Sequence, residues 1–229
     1  MNHMLLALFM VVFTIAAYIA SLRLYRKHRR IYTTPVIVST VVIIVFLLLF
    51  HVPYETYMMG GKWIDRLLGP AVVALAYPLY QYRGILKQML VPIVTGTTVG
   101  AVIGIGSGLL LSKWAGFSSL IIHSIVPKSV TTPVAMSISE STGGVMPLTA
   151  VFVMIAGIGG MLIHPFVMRY SGLTHRIGRG VGMGSASHAI GTATSMERDT
   201  LEGSISTVAM ILSAVIVSIL APGLTLLLL

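Results

Sequence analysis

At 229 residues, with 56% hydrophobic and 9% charged side chains and a mean hydropathy of +0.95, the chain has too little charge to clothe a water-soluble domain, for which about 25% is usual. Its net charge of +9 comes from Lys and Arg lying between apolar runs, which argues membrane topology and excludes nucleic acid as the natural partner. There is no cysteine, so disulfides, thiolate metal sites and thiol catalysis are excluded.

The first apolar run covers 4–22 and is followed by Arg23, Arg26, Lys27, Arg29 and Arg30. A cleavable signal carries its positives before the run, so this reads as a retained span with an external N-terminus. Further runs lie at about 35–52, 67–82, 88–112, 146–168 and 202–229. Each approaches the roughly 20 residues that cross a bilayer. The last can tilt, or break near Pro222–Gly223. Pro70 and Pro78 bracket the third run, with Tyr77 and Tyr80 near its end; either Pro78 frees a carbonyl toward a cavity, or Tyr80 and Tyr82 serve as ordinary interface anchors. In the fourth, Gly96, Gly100, Gly104 and Gly108 recur every fourth residue, giving one smooth face for close helix packing.

Two stretches, 117–142 and 181–199, are half apolar and rich in Ser, Thr and Gly. If each returns to its own side of the membrane, the cytoplasmic loops hold Arg23, Arg26, Lys27, Arg29, Arg30, Arg83, Lys87, Arg169, Arg176 and Arg179, against Lys62, Arg66 and Lys113 outside. Full crossing of both would move Arg169, Arg176 and Arg179 outside and weaken that bias. The expected architecture is therefore an all-α integral membrane protein, a single polytopic domain over 1–229. It has about six full spans, two re-entrant or broken helices, and both termini outside. Ser129–Glu140 can be laid over Ser185–Glu197 with one inserted residue, and the spans that follow run in opposite directions, as an inverted repeat requires.

Pro127 disfavours a continuous helix, and Thr132–Pro133 reads as N-cap and first helical residue of a half-helix beginning at membrane depth. Free N–H groups and the positive dipole end there suit a carboxylate, with Lys128, Ser129 and Thr131 as further donors. Lysine at membrane depth costs at least about 2.5 kcal/mol, which favours a functional role over a snorkelling one. Glu140, two turns beyond Thr132, could pair with Lys128, carry a coupling proton or cap the next span. In the second stretch Ser185, Ser187, His188 and Thr192 could meet substrate oxygens or simply pack helices, and His188 or Glu197 could carry a proton. Gly178, Gly180, Gly182 and Gly184 lack the strand and spacing of a phosphate loop and read as a flexible lead-in. No pair of histidines has metal-ligand spacing with a carboxylate, and no Ser–His–Asp set or Walker-type loop is visible. No enzyme, catalytic residue, metal or cofactor is expected.

Residues 67–80 (LLGPAVVALAYPLY), 127–136 (PKSVTTPVAM), 145–153 (VMPLTAVFV), 184–193 (GSASHAIGTA) and 201–210 (LEGSISTVAM) resemble the LrgB/CidB family, over about 5–225. The resemblance implies a bacterial cytoplasmic-membrane protein, and it carries the family's central motif onto Lys128–Pro133 and a second onto Ser185–Thr192. Arg198–Asp199, after Glu197, departs from the pattern. Family members were described as holin- or antiholin-like, acting with a small LrgA/CidA-type membrane protein on murein hydrolase export and lysis. Related proteins carry small carboxylates, pyruvate in bacteria and glycolate and glycerate in plastids. The resemblance and the Gly face together suggest a homodimer. A carrier of small organic anions and an antiholin-like regulator are the two functions expected, the carrier favoured by the broken helices and Lys128.

Overall fold

The computed structural model describes residues 3–28, 33–67, 70, 73, 74 and 76–228. No strand occurs among them. The chain forms two compact units, divided after Ala74.

The first unit holds α1 (His3–His28), α2 (Pro35–Leu49) and α3 (Tyr54–Asp65). Pro35 opens α2 within its first turn, where a missing N–H costs nothing. The ring of Phe46 on α2 packs 4.3 Å from that of Phe13 on α1. Helix α3, absent from the sequence reading, lies against α1 at Gly60: a side chain there would run into the Ala7 carbonyl oxygen. Thr14 Oγ1 and Tyr57 OH, 3.1 Å apart, bond across the same contact.

The second unit holds α4 (Ala76–Gln81), α5 (Arg83–Gln88), α6 (Leu90–Trp114), α7 (Ser119–Ile125), α8 (Thr132–Thr142), α9 (Met146–Ser171), α10 (Arg176–Arg198) and α11 (Thr200–Leu228). The span expected over 67–82 lies partly outside the described residues, as do Arg29, Arg30 and the side chain of Pro78. Four helices, α1, α6, α9 and α11, are long and apolar enough to cross a membrane; α2, at 15 residues, is a shorter apolar helix. The last run does not break at Pro222, which lies inside the continuous α11.

Helices α6 and α11 run parallel. Ile93 clusters with Ile205 and Ala209, and a second cluster joins Ala101, Ile105 and Leu109 to Val217 and Ala221. Both polar stretches are broken, and each folds back on itself. In the first, α7 runs back along α6 to Lys128 and Ser129, which reach Gly108 and Gly104; α8 then returns, so that the Val145 N–H donates to Ser124 Oγ at 2.8 Å. Glycine at left-handed φ delimits this hairpin: Gly116 (φ 75°) ends α6 and Gly143 (φ 89°) ends α8. At Gly143 the Gly144 N–H reaches Ser139 O at 2.7 Å and the Gly143 N–H reaches Glu140 O at 3.4 Å, closing the helix with a Schellman pattern.

In the second, α10 breaks at His188 (φ 40°, ψ −135°). Its first limb runs parallel to α11, with Gly180 against Glu202 O and Gly184 against Ser206 O. Its second limb returns, placing Gly191 against Met183 and Gly203 against Met196. The glycines of 178–184 are thus helical packing positions and not a flexible lead-in.

Polarity is inverted relative to a soluble protein. Large apolar side chains are exposed along the long helices, among them Phe9, Leu111, Ile155 and Ile219, while Thr97, Ser139, Thr149, Ser206 and Ser213 are wholly buried. Lipid on the outside accounts for the first set, and packing by small hydroxyl residues for the second.

Candidate functional site

The glycine face of α6 is the platform on which the two hairpin tips meet. A methyl group at Gly96 would lie 3.1 Å from Val181 Cγ1, and one at Gly100 would lie 3.0 Å from Ser185 Oγ. One at Gly104 would lie 3.3 Å from Ser129 Oγ, and one at Gly108 would lie 2.7 Å from Lys128 Nζ. The second hairpin therefore takes the first half of this face and the first hairpin takes the other. Ser185 and Ser129 sit one helical turn apart, about 6 Å along α6.

The face exposes backbone as well as space. Lys128 Nζ donates to Gly104 O at 2.9 Å, through the notch left by the absent side chain at Gly108. Lys128 is half-buried, and among the described residues no carboxylate pairs with it. Beside it α8 begins one residue earlier than expected. Thr131 is the N-cap, Thr132 the first helical residue and Pro133 the second. Thr131 makes no side-chain cap, so the first-turn N–H groups remain free of one, and a positive helix end adjoins an unpaired ammonium.

On the opposing tip, His188 is buried, and its Nε2 lies 3.0 Å from Val153 O of α9. Gly157 leaves room for the ring, since a methyl group there would lie 2.6 Å from Nε2. Ser187 is buried against Gly160 with no partner for its hydroxyl, Ser185 Oγ donates to Val181 O at 2.6 Å, and Thr192 Oγ1 bonds Ser206 Oγ at 2.9 Å. Between the two apolar clusters, Thr97 of α6 and Ser213 of α11 are fully buried with unpartnered hydroxyls. Buried polar atoms normally have partners, so this layer keeps spare hydrogen-bonding capacity.

The structure brings together Lys128, Ser129, the start of α8, Ser185 and the Gly face; His188, Ser187 and Thr192 belong to the same tip as Ser185 but turn toward α9 and α11. Glu140 and Glu197 do not join them. Both are exposed at the open ends of the hairpins, and Glu140 does not pair with Lys128. Among the described residues no three of His, Asp and Glu come together as metal ligands.

Sequence reading overlooked a third polar group, at the base of the second hairpin. Arg176 Nε lies 3.0 Å from Asp199 Oδ2, and Arg179 Nε lies 3.1 Å from Glu202 Oε2, Glu202 being almost wholly buried. Its signal was present: an acidic residue at the head of the last apolar run, with arginines ahead of the preceding polar stretch.

A multi-pass α-helical membrane protein carrying two broken polar hairpins on one glycine-lined helix is the class so defined. The chain belongs to the LrgB-like family, whose pattern matches residues 14–227. It is similar to YxaC of Bacillus subtilis (strain 168), 44% identical over 97% of this chain and 96% of the relative. YwbG of the same organism is 41% identical over 91% and 93%. The holin-like protein CidB of Staphylococcus epidermidis (strain ATCC 35984) is 37% identical over 99% of both chains. No solved structure matches.

Proposed function

We propose that the protein is a carrier of small monocarboxylates, such as pyruvate or glycolate, in the bacterial cytoplasmic membrane. The observation that carries this reading is Lys128: a half-buried ammonium, held by a backbone carbonyl and matched by no carboxylate, beside the uncapped start of α8. A carboxylate would supply the missing charge and accept from the free donors. Ser129, Thr131, Thr132 and Pro133 form one wall of the site, and Ser185, Ser187, His188 and Thr192 the opposing tip. The hairpins with the helices that follow them, 119–171 and 176–228, serve as inverted repeats that rock about the site. In this reading both termini lie outside and about six segments span. A homodimer would have to form through a surface other than the Gly face, which the hairpin tips occupy.

The test is uptake of labelled pyruvate into liposomes containing the purified protein. Saturable uptake that Lys128→Gln reduces at least about tenfold is expected, the loss of one charge-assisted bond being worth roughly 1.5–3 kcal/mol. No uptake of pyruvate, lactate or glycolate, with or without a proton gradient, sinks the reading.

A second reading has its own support in the holin-like name of the CidB relatives. Here the chain regulates murein hydrolase export and lysis with a small LrgA/CidA-type membrane partner. Such a regulator would tolerate Lys128→Gln, so the same substitution separates the two.

A further inference from the structure

We infer that Glu202 is the site at which the protein binds and releases a proton, and that this opens and closes a clamp on the second hairpin; the inference rests on the carrier reading above. The chain has six acidic residues, and all are described. Glu55, Asp65, Glu140 and Glu197 are exposed and Asp199 is partly so; Glu202 alone is buried, at 2% exposure.

Its carboxylate is surplus to the helix it sits on. Asp199 caps α11, its Oδ1 accepting from the N–H groups of Leu201 at 2.9 Å and Glu202 at 3.0 Å. The Asp199 N–H is already bonded to Ser195 O at 2.9 Å, so Glu202 has no capping-box role. Nor does a buried ion pair earn its place by stability, because desolvation offsets most of the attraction. The pair here is also loosely made. Arg179 Nε stands 3.1 Å from Oε2 without the alignment of a hydrogen bond, and Oε1 has no partner at all. One oxygen is thus committed to Arg179 and the other is open to a proton.

The groups around Glu202 come from each packed element. Helix α10 contributes Arg179, with Arg176 and Arg198 at the hairpin's open end. Helix α9, packed on α10, carries His164, buried with Nε2 unpartnered, whose charged neighbours are Arg179 and Arg198 rather than Glu202 itself. Tyr82 reaches the same end of α11, its OH 2.8 Å from Thr200 Oγ1. Helix α6 presents no ionisable side chain between Leu90 and Ser112.

Arg179 lies on the limb that carries Ser185 and His188 to the tip. A proton on Oε1 neutralises the carboxylate and removes the partner of Arg179. The limb is then held at its base by the exposed Arg176–Asp199 pair and by the contacts of Gly180 and Gly184 with α11. Release of the proton restores the pair. The proton enters from one aqueous face with the substrate anion and leaves at the other, so charge moves in balance.

The experiment uses liposomes loaded with a pH-sensitive dye and containing wild type, Glu202→Gln or Glu202→Asp, with protein-free liposomes as the background. Counterflow of labelled pyruvate without a gradient reads carriage; lumenal pH and the response to a one-unit pH step read coupling. Wild type is expected to acidify the lumen on pyruvate entry and to accumulate about tenfold more per unit of gradient, as one proton per anion requires. Glu202→Gln is expected to keep counterflow and lose both proton signals, and Glu202→Asp to keep all three. Counterflow without proton movement in wild type, or proton movement surviving in Glu202→Gln, overturns the inference while leaving the carrier reading intact. Absence of counterflow in wild type overturns both. If neither variant folds, a hydrophobic carbodiimide on wild type decides: an adduct mapped to Glu202 that stops proton movement supports the inference, and block by an adduct elsewhere, or no block, overturns it.

Discussion

Two side chains set the residue scale. His188 holds φ at 40° and ψ at −135°, a region that glycine enters freely and a residue with a Cβ enters at a cost of about 1–3 kcal/mol. The cost is tolerated because the ring bonds Val153 O and fills the hollow at Gly157. Removing the ring while keeping the strain should be worse than removing both. His188→Gly is therefore expected to melt higher than His188→Ala, by about 1 kcal/mol or more in thermal unfolding of detergent-solubilised protein. The same reasoning applied to Lys128 points at Gly108. A methyl group there lies 2.7 Å from Nζ, the far end of a flexible chain, so the ammonium can move but loses its bond to Gly104 O. Gly108→Ala is expected to raise KM for the transported carboxylate several-fold with little change in melting temperature. An unchanged KM would mean that the position of Nζ does not matter to the substrate.

At the scale of elements, glycines separate into those that hold helices together and those that do not. Gly184 faces the backbone carbonyl of Ser206, which cannot move without moving α11, whereas Gly106 faces open space. Gly184→Ala is expected to cost about 2 kcal/mol or more, the range for overpacking. Gly106→Ala should be neutral or gain up to about 1 kcal/mol in helix propensity. Equal effects at the two sites would show that the parallel packing of α10 on α11 is not what stabilises the second hairpin. Much of this level was legible in the chain itself. Pro127 and the Ser/Thr-rich stretches gave the broken helices away, and the four-residue glycine period gave the packing face of α6, because each is a local statement about backbone. Helix α3 was not legible, since its 12 residues are too short and too polar to read as a span and its partner α1 lies some fifty residues away. The charges of Glu202 and Arg179 are visible in the sequence, but the burial that pairs them comes from α10 folding back, a long-range event that the sequence alone does not place.

At the scale of the whole molecule the question is which side each hairpin opens to. The chain has no cysteine, so single cysteines can be placed without background labelling. Ala115 and Ser141 flank the first hairpin, Thr174 and Glu197 flank the second, and all four are exposed. If each hairpin re-enters, Ala115→Cys and Ser141→Cys face one side and Thr174→Cys and Glu197→Cys the other. If each crosses fully, the members of a pair lie on opposite sides. The orientation expected from the excess of Lys and Arg in one set of loops would put the first pair outside. In intact cells, a membrane-impermeant maleimide is expected to label Ala115→Cys and Ser141→Cys directly, and Thr174→Cys and Glu197→Cys only after permeabilisation. Labelling of one member of a pair without the other would show that the hairpin crosses. The two tips would then not approach the Gly face from opposite aqueous sides, and alternating access about Lys128 would lose its geometric basis.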